Sequence, residues 1–228
     1  MRQVRSRTLR PLVLLGLAAV ALAGPVACQT AKTPLVVLEE KADHEFDYHR
    51  WKTAAEYYGE IVERDPGNRT AQLRYGQSLM KCGEYSKAEG PLLTAHALDP
   101  RDDDAVVALS EVMFELGEHA ELFAMLRDRA HDNRSSSMWL LVVDYSERLD
   151  DYDSALEAVR NACAVDAGED ARPYYRAALL LGRIGQADEA IRRLRQAYGI
   201  DPNDEAVNAL LVEYGEIPGP TLGLAPGR

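Results

Sequence analysis

At 228 residues, 46% of them hydrophobic and 28% charged, the chain is long and apolar enough to fold and is not a disordered polar segment. Arg2, Arg5, Arg7 and Arg10 are the only charged residues before Cys28, so loss of that leader takes the formal charge from −11 to −15. A body so acidic repels phosphate backbones and anionic headgroups, which sets nucleic acid aside as a partner.

The first element, residues 1–27, has the order of an export signal: four arginines, then the apolar stretch Leu12 to Ala23, then small residues. Twelve apolar residues are too few for a bilayer, which needs roughly 20. Gly24-Pro25-Val26-Ala27-Cys28 resembles the lipobox of bacterial lipoproteins, although Pro25 stands where that family usually has Leu. The resemblance implies a diacylglyceryl group on Cys28 and a membrane anchor there, with outer-membrane delivery because Gln29 and not an acid follows. The alternative is an ordinary signal cleaved after Ala21-Leu22-Ala23, which releases a soluble periplasmic protein starting at Gly24. Residues 28–34 form a short linker; Gln29 to Pro34 reaches at most about 20 Å, so a lipidated chain holds the following domain near the membrane.

From residue 35 the chain repeats. Asp65-Pro66 returns as Asp99-Pro100 after 34 residues and as Asp201-Pro202 at three times that interval beyond Asp99, with Asp166-Ala167 near the missing multiple. Five units follow, at roughly 35–68, 69–102, 103–135, 136–170 and 171–204. Small residues recur in register: Ala42 and Ala54 in the first, Gly76, Ala88 and Ala95 in the second, Ala155 and Ala162 in the fourth, Ala178, Ala190 and Ala197 in the fifth. Trp51, Tyr85, His119, Tyr152 and Ala187 share the seventeenth position. Helices approach closely only where side chains are small, and proline ends a helix because it cannot continue it. Gly83, Gly117 and Gly185 suit tight turns between helices. The third unit is the most divergent, with Leu122 and Arg129 at two of the small positions. Pro91 falls inside a helix of the second unit, where a kink is expected. Glu205 to Tyr214 reads as a closing helix, and residues 216–228, rich in Pro and Gly, as a tail without structure.

This period and these positions resemble the tetratricopeptide repeat (TPR). The resemblance implies an all-α, right-handed superhelical solenoid of antiparallel helix pairs over residues 35–215, with the seventeenth-position aromatic filling the wedge between units. It also implies a concave wall made by the first helix of each unit. Transferred position by position, the inward set is Glu39, Asp43, Phe46 and Asp47; Leu73, Gln77, Met80 and Lys81; Val107, Glu111, Phe114 and Glu115; Leu140, Asp144, Glu147 and Arg148; and Tyr175, Leu179 and Arg183. The Lys and Asn set with which some members hold a terminal carboxylate is absent from these positions. Apolar residues beside carboxylates suit a protein segment, extended or helical, with apolar anchors and basic flanks.

No phosphate loop, nucleophile elbow or zinc-binding HExxH appears, and the five histidines are scattered. Cys82 and Cys163 have no metal or redox spacing and read as buried structural thiols. The expectation is a scaffold or adaptor of the bacterial cell envelope, without cofactor, metal or enzymatic activity.

Overall fold

The computed structural model describes residues 32–226, and within them the chain is helical without a strand. The signal and the lipobox with Cys28 lie outside the described residues. Five antiparallel pairs follow one another: α1 (Leu35–Asp47) with α2 (Trp51–Arg64), α3 (Arg69–Lys81) with α4 (Tyr85–Leu98), α5 (Asp103–Leu116) with α6 (His119–Asp132), α7 (Ser136–Arg148) with α8 (Tyr152–Asp166), and α9 (Arg172–Arg183) with α10 (Ala187–Ile200). A shorter α11 (Glu205–Glu213) closes the array against α10. Each helix packs on the next in sequence, as a solenoid requires. None of these helices is long and apolar enough to cross a membrane.

The repeated Asp-Pro does two jobs in one turn. Asp65, Asp99 and Asp201 end α2, α4 and α10, and their carbonyls accept from the N–H of Asn68, Asp102 and Asp204 at 3.2, 3.2 and 3.4 Å. Those three residues then cap the next helix through side-chain oxygens that accept from Ala71, Asp104 and Ala206. The turn inside each pair is equally regular. Gly83, Gly117 and Gly185 are left-handed there, and the first and fourth units place His49 and Asp150 in the same conformation, at φ 59° and 56°. A side chain is strained in that region, so Asp150→Gly is expected to raise stability by about 0.5–1 kcal/mol in a urea titration. Its only cost is the exposed bond that Tyr152 Oη donates to Asp150.

The small positions are the seams of the core. Ala42, Ala54, Ala88, Ala95, Ala155, Ala162, Ala178, Ala190 and Ala197 are all fully buried. A Cβ on Gly76 would lie 2.4 Å from Leu92 Cγ, so α3 and α4 can meet only because that atom is missing. Where the pattern fails, the packing loosens. Leu122, fully buried, takes the place that Ala holds in the other units, and α5 and α6 make far fewer close backbone approaches than any other pair. Arg129 reaches out of the seam to Asp103 Oδ1 at 2.5 Å and to the carbonyl of Pro100.

The expectations for Cys82 and for the tail are corrected. Cys82 is exposed at the end of α3, and only Cys163 is buried. Trp51 and His119 pack within their own pairs, against Phe46 at 5.2 Å and Phe114 at 4.9 Å, since the first turn of each second helix faces the last turn of the first. Pro91 lies inside a helix assigned without interruption from Tyr85 to Leu98. The tail is not free. Residues 217–226 fold back along α10, where Leu222 is buried and the N–H of Leu224 donates to the Arg195 carbonyl at 2.9 Å.

Candidate interaction surface

The first helices form one wall: α1 touches α3, α3 touches α5, and α7 touches α9. Between the second and third units this wall opens into a cleft of about 590 Å³. Gln77, Met80, Lys81, Val107 and Glu111 line it, all taken from the inward set, and with them Tyr85, Asp104, Ala108 and Tyr145. Val107 is 42% exposed, a large apolar side chain standing open to solvent. Met80 is half-buried on the core. A second cleft of about 270 Å³ holds Glu39 and Asp43 with Tyr58, Asn68, Thr70 and Ala71. Leu73, Leu140 and Tyr175 are half-buried against the core, and Phe46 against the core of the first unit.

The inward set omitted Tyr85 and Tyr145, although Tyr85 was expected between units as a seventeenth-position aromatic. Tyr85 begins a second helix and reaches the cleft because α4 starts directly beside the end of α3. Tyr145 follows Asp144 and is buried, where Asp144 is exposed; its hydroxyl reaches the cleft by donating to Glu111.

The acids of the wall are mostly held by arginines of the following unit. Arg74 donates to Asp43 Oδ1 at 2.6 Å and lies over the Phe46 ring at 5.1 Å. Arg148 donates to Glu111 at 2.6 Å and Glu115 at 2.7 Å, with its guanidinium 3.8 Å above the centre of Phe114, which stacks on Tyr145. Arg176 bonds Asp144 and also Glu147 at 2.8 Å, and Arg183 bonds Glu147 at 2.9 Å. These arginines bridge the first and second, third and fourth, and fourth and fifth units. At the junction of the second and third units Ala108 occupies the place of Arg74 and Arg176, and the link is made instead at the helix starts, where Arg69 of α3 pairs with Asp102, the cap of α5. The cleft lies at that junction, where α5 carries no arginine to reach back to α3.

Two consequences follow. The carboxylates expected to await a basic partner are largely neutralised within the wall. Lys81 and Asp104, by contrast, line the cleft without an ion pair among the described residues. The bridges also tune their surroundings: burial, then the charge and hydrogen bond of Glu111, raise the Tyr145 phenol, so its hydroxyl stays a donor at all ordinary pH. Asp144 is raised above its usual range by burial, against the pull of Arg176. Removing Arg176 leaves Asp144 without its bond and Glu147 with Arg183 alone. Arg176→Ala is expected to lower stability by about 1–2 kcal/mol in low salt and by less in 0.5 M NaCl, as urea midpoints at the two ionic strengths will read.

No group of side chains able to hold a metal ion occurs among the described residues. Burial pushes the Cys163 thiol up to about 11, so it is protonated and unreactive at neutral pH.

Residues 171–204 match the tetratricopeptide repeat family model. No curated protein matches the chain in sequence. Among solved structures, a MamA protein superposes with a TM-score of 0.57 at 19% identity, covering 82% of this chain and 98% of its own. TTC0263, a thermophilic TPR protein of Thermus thermophilus, gives 0.52 at 18%, over 79% and 98%. YrrB, described as a TPR protein with an unusual peptide-binding site, gives 0.50 at 16%, over 78% and 91%. The chain therefore has the fold of a TPR solenoid, an all-α stack of antiparallel helix pairs. At these identities the likeness carries the fold alone.

Proposed function

We propose that the protein is a non-catalytic interaction scaffold whose cleft between the second and third units receives a segment of a protein partner. The observation that carries this reading is the coincidence of a cleft of about 590 Å³ with the inter-unit junction at which no arginine of the later first helix reaches back across the wall, α5 having none. Met80, Val107, Ala108 and Tyr85 offer an apolar floor for one anchoring side chain. Asp104 is open to a basic flank, and Lys81 to an acidic one. The partner is a short extended or helical segment with an apolar anchor and a basic neighbour. YrrB, with its described peptide-binding site, offers a precedent for such use of the fold.

A photo-reactive residue at Val107, compared with the same residue at Leu93, tests this in the native host. Leu93 is also an exposed apolar side chain, at 46% against 42% for Val107, but stands on α4 outside the cleft. Capture of one protein from Val107 and not from Leu93 is the expected result; equal capture from both defeats the reading.

We also read the chain as exported and anchored through Cys28, facing the periplasm from the outer membrane, as an assembly factor or adaptor of the envelope. The lipobox-like Gly24 to Cys28 supports this. The mature protein is expected to begin at Cys28 with added acyl mass, and Cys28→Ala to leave the membrane fraction. A mature N-terminus at Gly24 without acyl mass contradicts the anchor.

A further inference from the structure

The returning tail is bound like a ligand. Residues 217–226 add no helix: the N–H of Leu222 donates to the Gly219 carbonyl at 3.0 Å to close a turn, and residues 223–226 continue along α10. Their main chain is read from outside: Arg195 Nε donates to the Leu222 carbonyl at 2.9 Å, and the Arg195 carbonyl accepts from Leu224 N at 2.9 Å. Gln196, 2% exposed, donates from Nε2 to the Ala225 carbonyl at 3.3 Å. With the tail in place the Gln196 amide is buried, and its bond to a main-chain carbonyl satisfies it there.

The helix is also cut away to admit the segment. A Cβ on Gly199 would lie 2.5 Å from the Leu224 carbonyl oxygen, and one on Gly168 2.3 Å from the Pro226 ring. Gly223 presses Gly199 from the other side: a Cβ on it would be 3.0 Å from Gly199 Cα. Glycine inside α10 weakens the helix, and the room it makes is filled by the tail backbone. A cleft of about 350 Å³ remains between the tail and Tyr198, Gly199 and Pro202, so on this side only Leu222 of the segment joins the core.

We propose that the outer face of α10, from Arg195 to Gly199 and on to Gly168, is a second peptide-binding track, separate from the cleft at Val107. Its ligand is a short apolar segment rich in Leu, Gly and Pro that enters through a turn, and the occupant is the chain's own residues 220–226, held in place as a removable ligand. The track reads three main-chain groups, buries Leu222, and excludes bulk at Gly199 and Gly168. Tethered through Gly215 to Gly219, the tail faces an effective concentration in the millimolar range. A segment docked for nine-tenths of the time then has an intrinsic Kd of roughly 0.1–1 mM or tighter.

Gly199→Ala in the full chain separates this account from a merely structural tail. Alanine favours helix over glycine, so α10 itself is strengthened. The expected result is that the Leu224 amide, protected at least tenfold from hydrogen exchange in the unaltered chain, loses that protection while the α10 amides keep theirs. In a second experiment, Leu222→Asp with Leu224→Asp ejects the tail of the full chain, and a labelled peptide of residues 219–228 is added. The peptide is expected to bind this variant at submillimolar Kd, to bind the unaltered chain at least tenfold more weakly, and to fail when Gly199→Ala is added. The proposal is overturned if Leu224 stays protected in Gly199→Ala, if the peptide does not bind the tail-ejected variant, or if it binds all chains alike.

Discussion

Gly76→Val is expected to lower stability by about 3 kcal/mol, read as a fall in the urea midpoint with the loss concentrated in the first three units. The added Cβ meets Leu92 Cγ at 2.4 Å and Cδ2 at 2.7 Å, and the carbonyl of Ala88 stands at 3.2 Å. Leu92 and Ala88 are fully buried, so neither can swing away, and α3 must lift from α4. Gly59→Ala is the matched contrast. It lies in α2, where a Cβ meets only the Tyr75 ring at an ordinary 3.4 Å. There the helix gain is kept, and stability is expected to rise by about 0.5–1 kcal/mol. Opposite signs for two helical glycines establish that the small positions are contact surfaces between helices and not tolerated drift. Because units touch only their neighbours, the fifth is expected to keep its protection in Gly76→Val.

The second large effect falls on binding. Val107→Glu and Met80→Glu each place a carboxylate on the apolar floor of the cleft, beside Glu111 and Asp104. A buried anchor of this kind contributes about 2 kcal/mol, so each variant is expected to weaken the captured segment roughly 30-fold. Val107 is substantially exposed, and its urea midpoint should move little. A titration showing a change under threefold in both variants removes these residues from the site. Arg148→Ala is a useful companion, because it frees Glu111 and Glu115 for a basic ligand without touching the cleft floor.

The helices were legible because one physical rule recurs at fixed spacing. Asp-Pro, the small positions and the first residues of the second helices at Trp51, Tyr85, His119, Tyr152 and Ala187 all fall where the period requires. Part of the inward set falls together for the same reason: Gln77, Met80, Lys81, Val107 and Glu111 share one cleft. The state of charge was not. A carboxylate at Asp43 or Asp144 looks free in one unit; its arginine arrives from the next, 31 or 32 residues later. Arg148 is plainer still: an ideal register lists it beside the acids of the wall, and only the packing shows it lying on Phe114 and neutralising Glu111. The tail escaped for a different reason. Its Pro and Gly content argues against a helix, which is correct, but says nothing of an irregular segment docked through main-chain groups onto Gln196 and Gly199.

The central claim is that the cleft between the second and third units holds the partner, and hydrogen exchange measures it most directly. The segment crosslinked to Val107 would be synthesised and added to the full chain, and amide protection mapped along every helix. The account predicts added protection concentrated at residues 77–85 and 104–111, on both sides of the cleft, with α8 and α10 unchanged. Protection gained on α8 or α10, with none at the junction between α3 and α5, would contradict it.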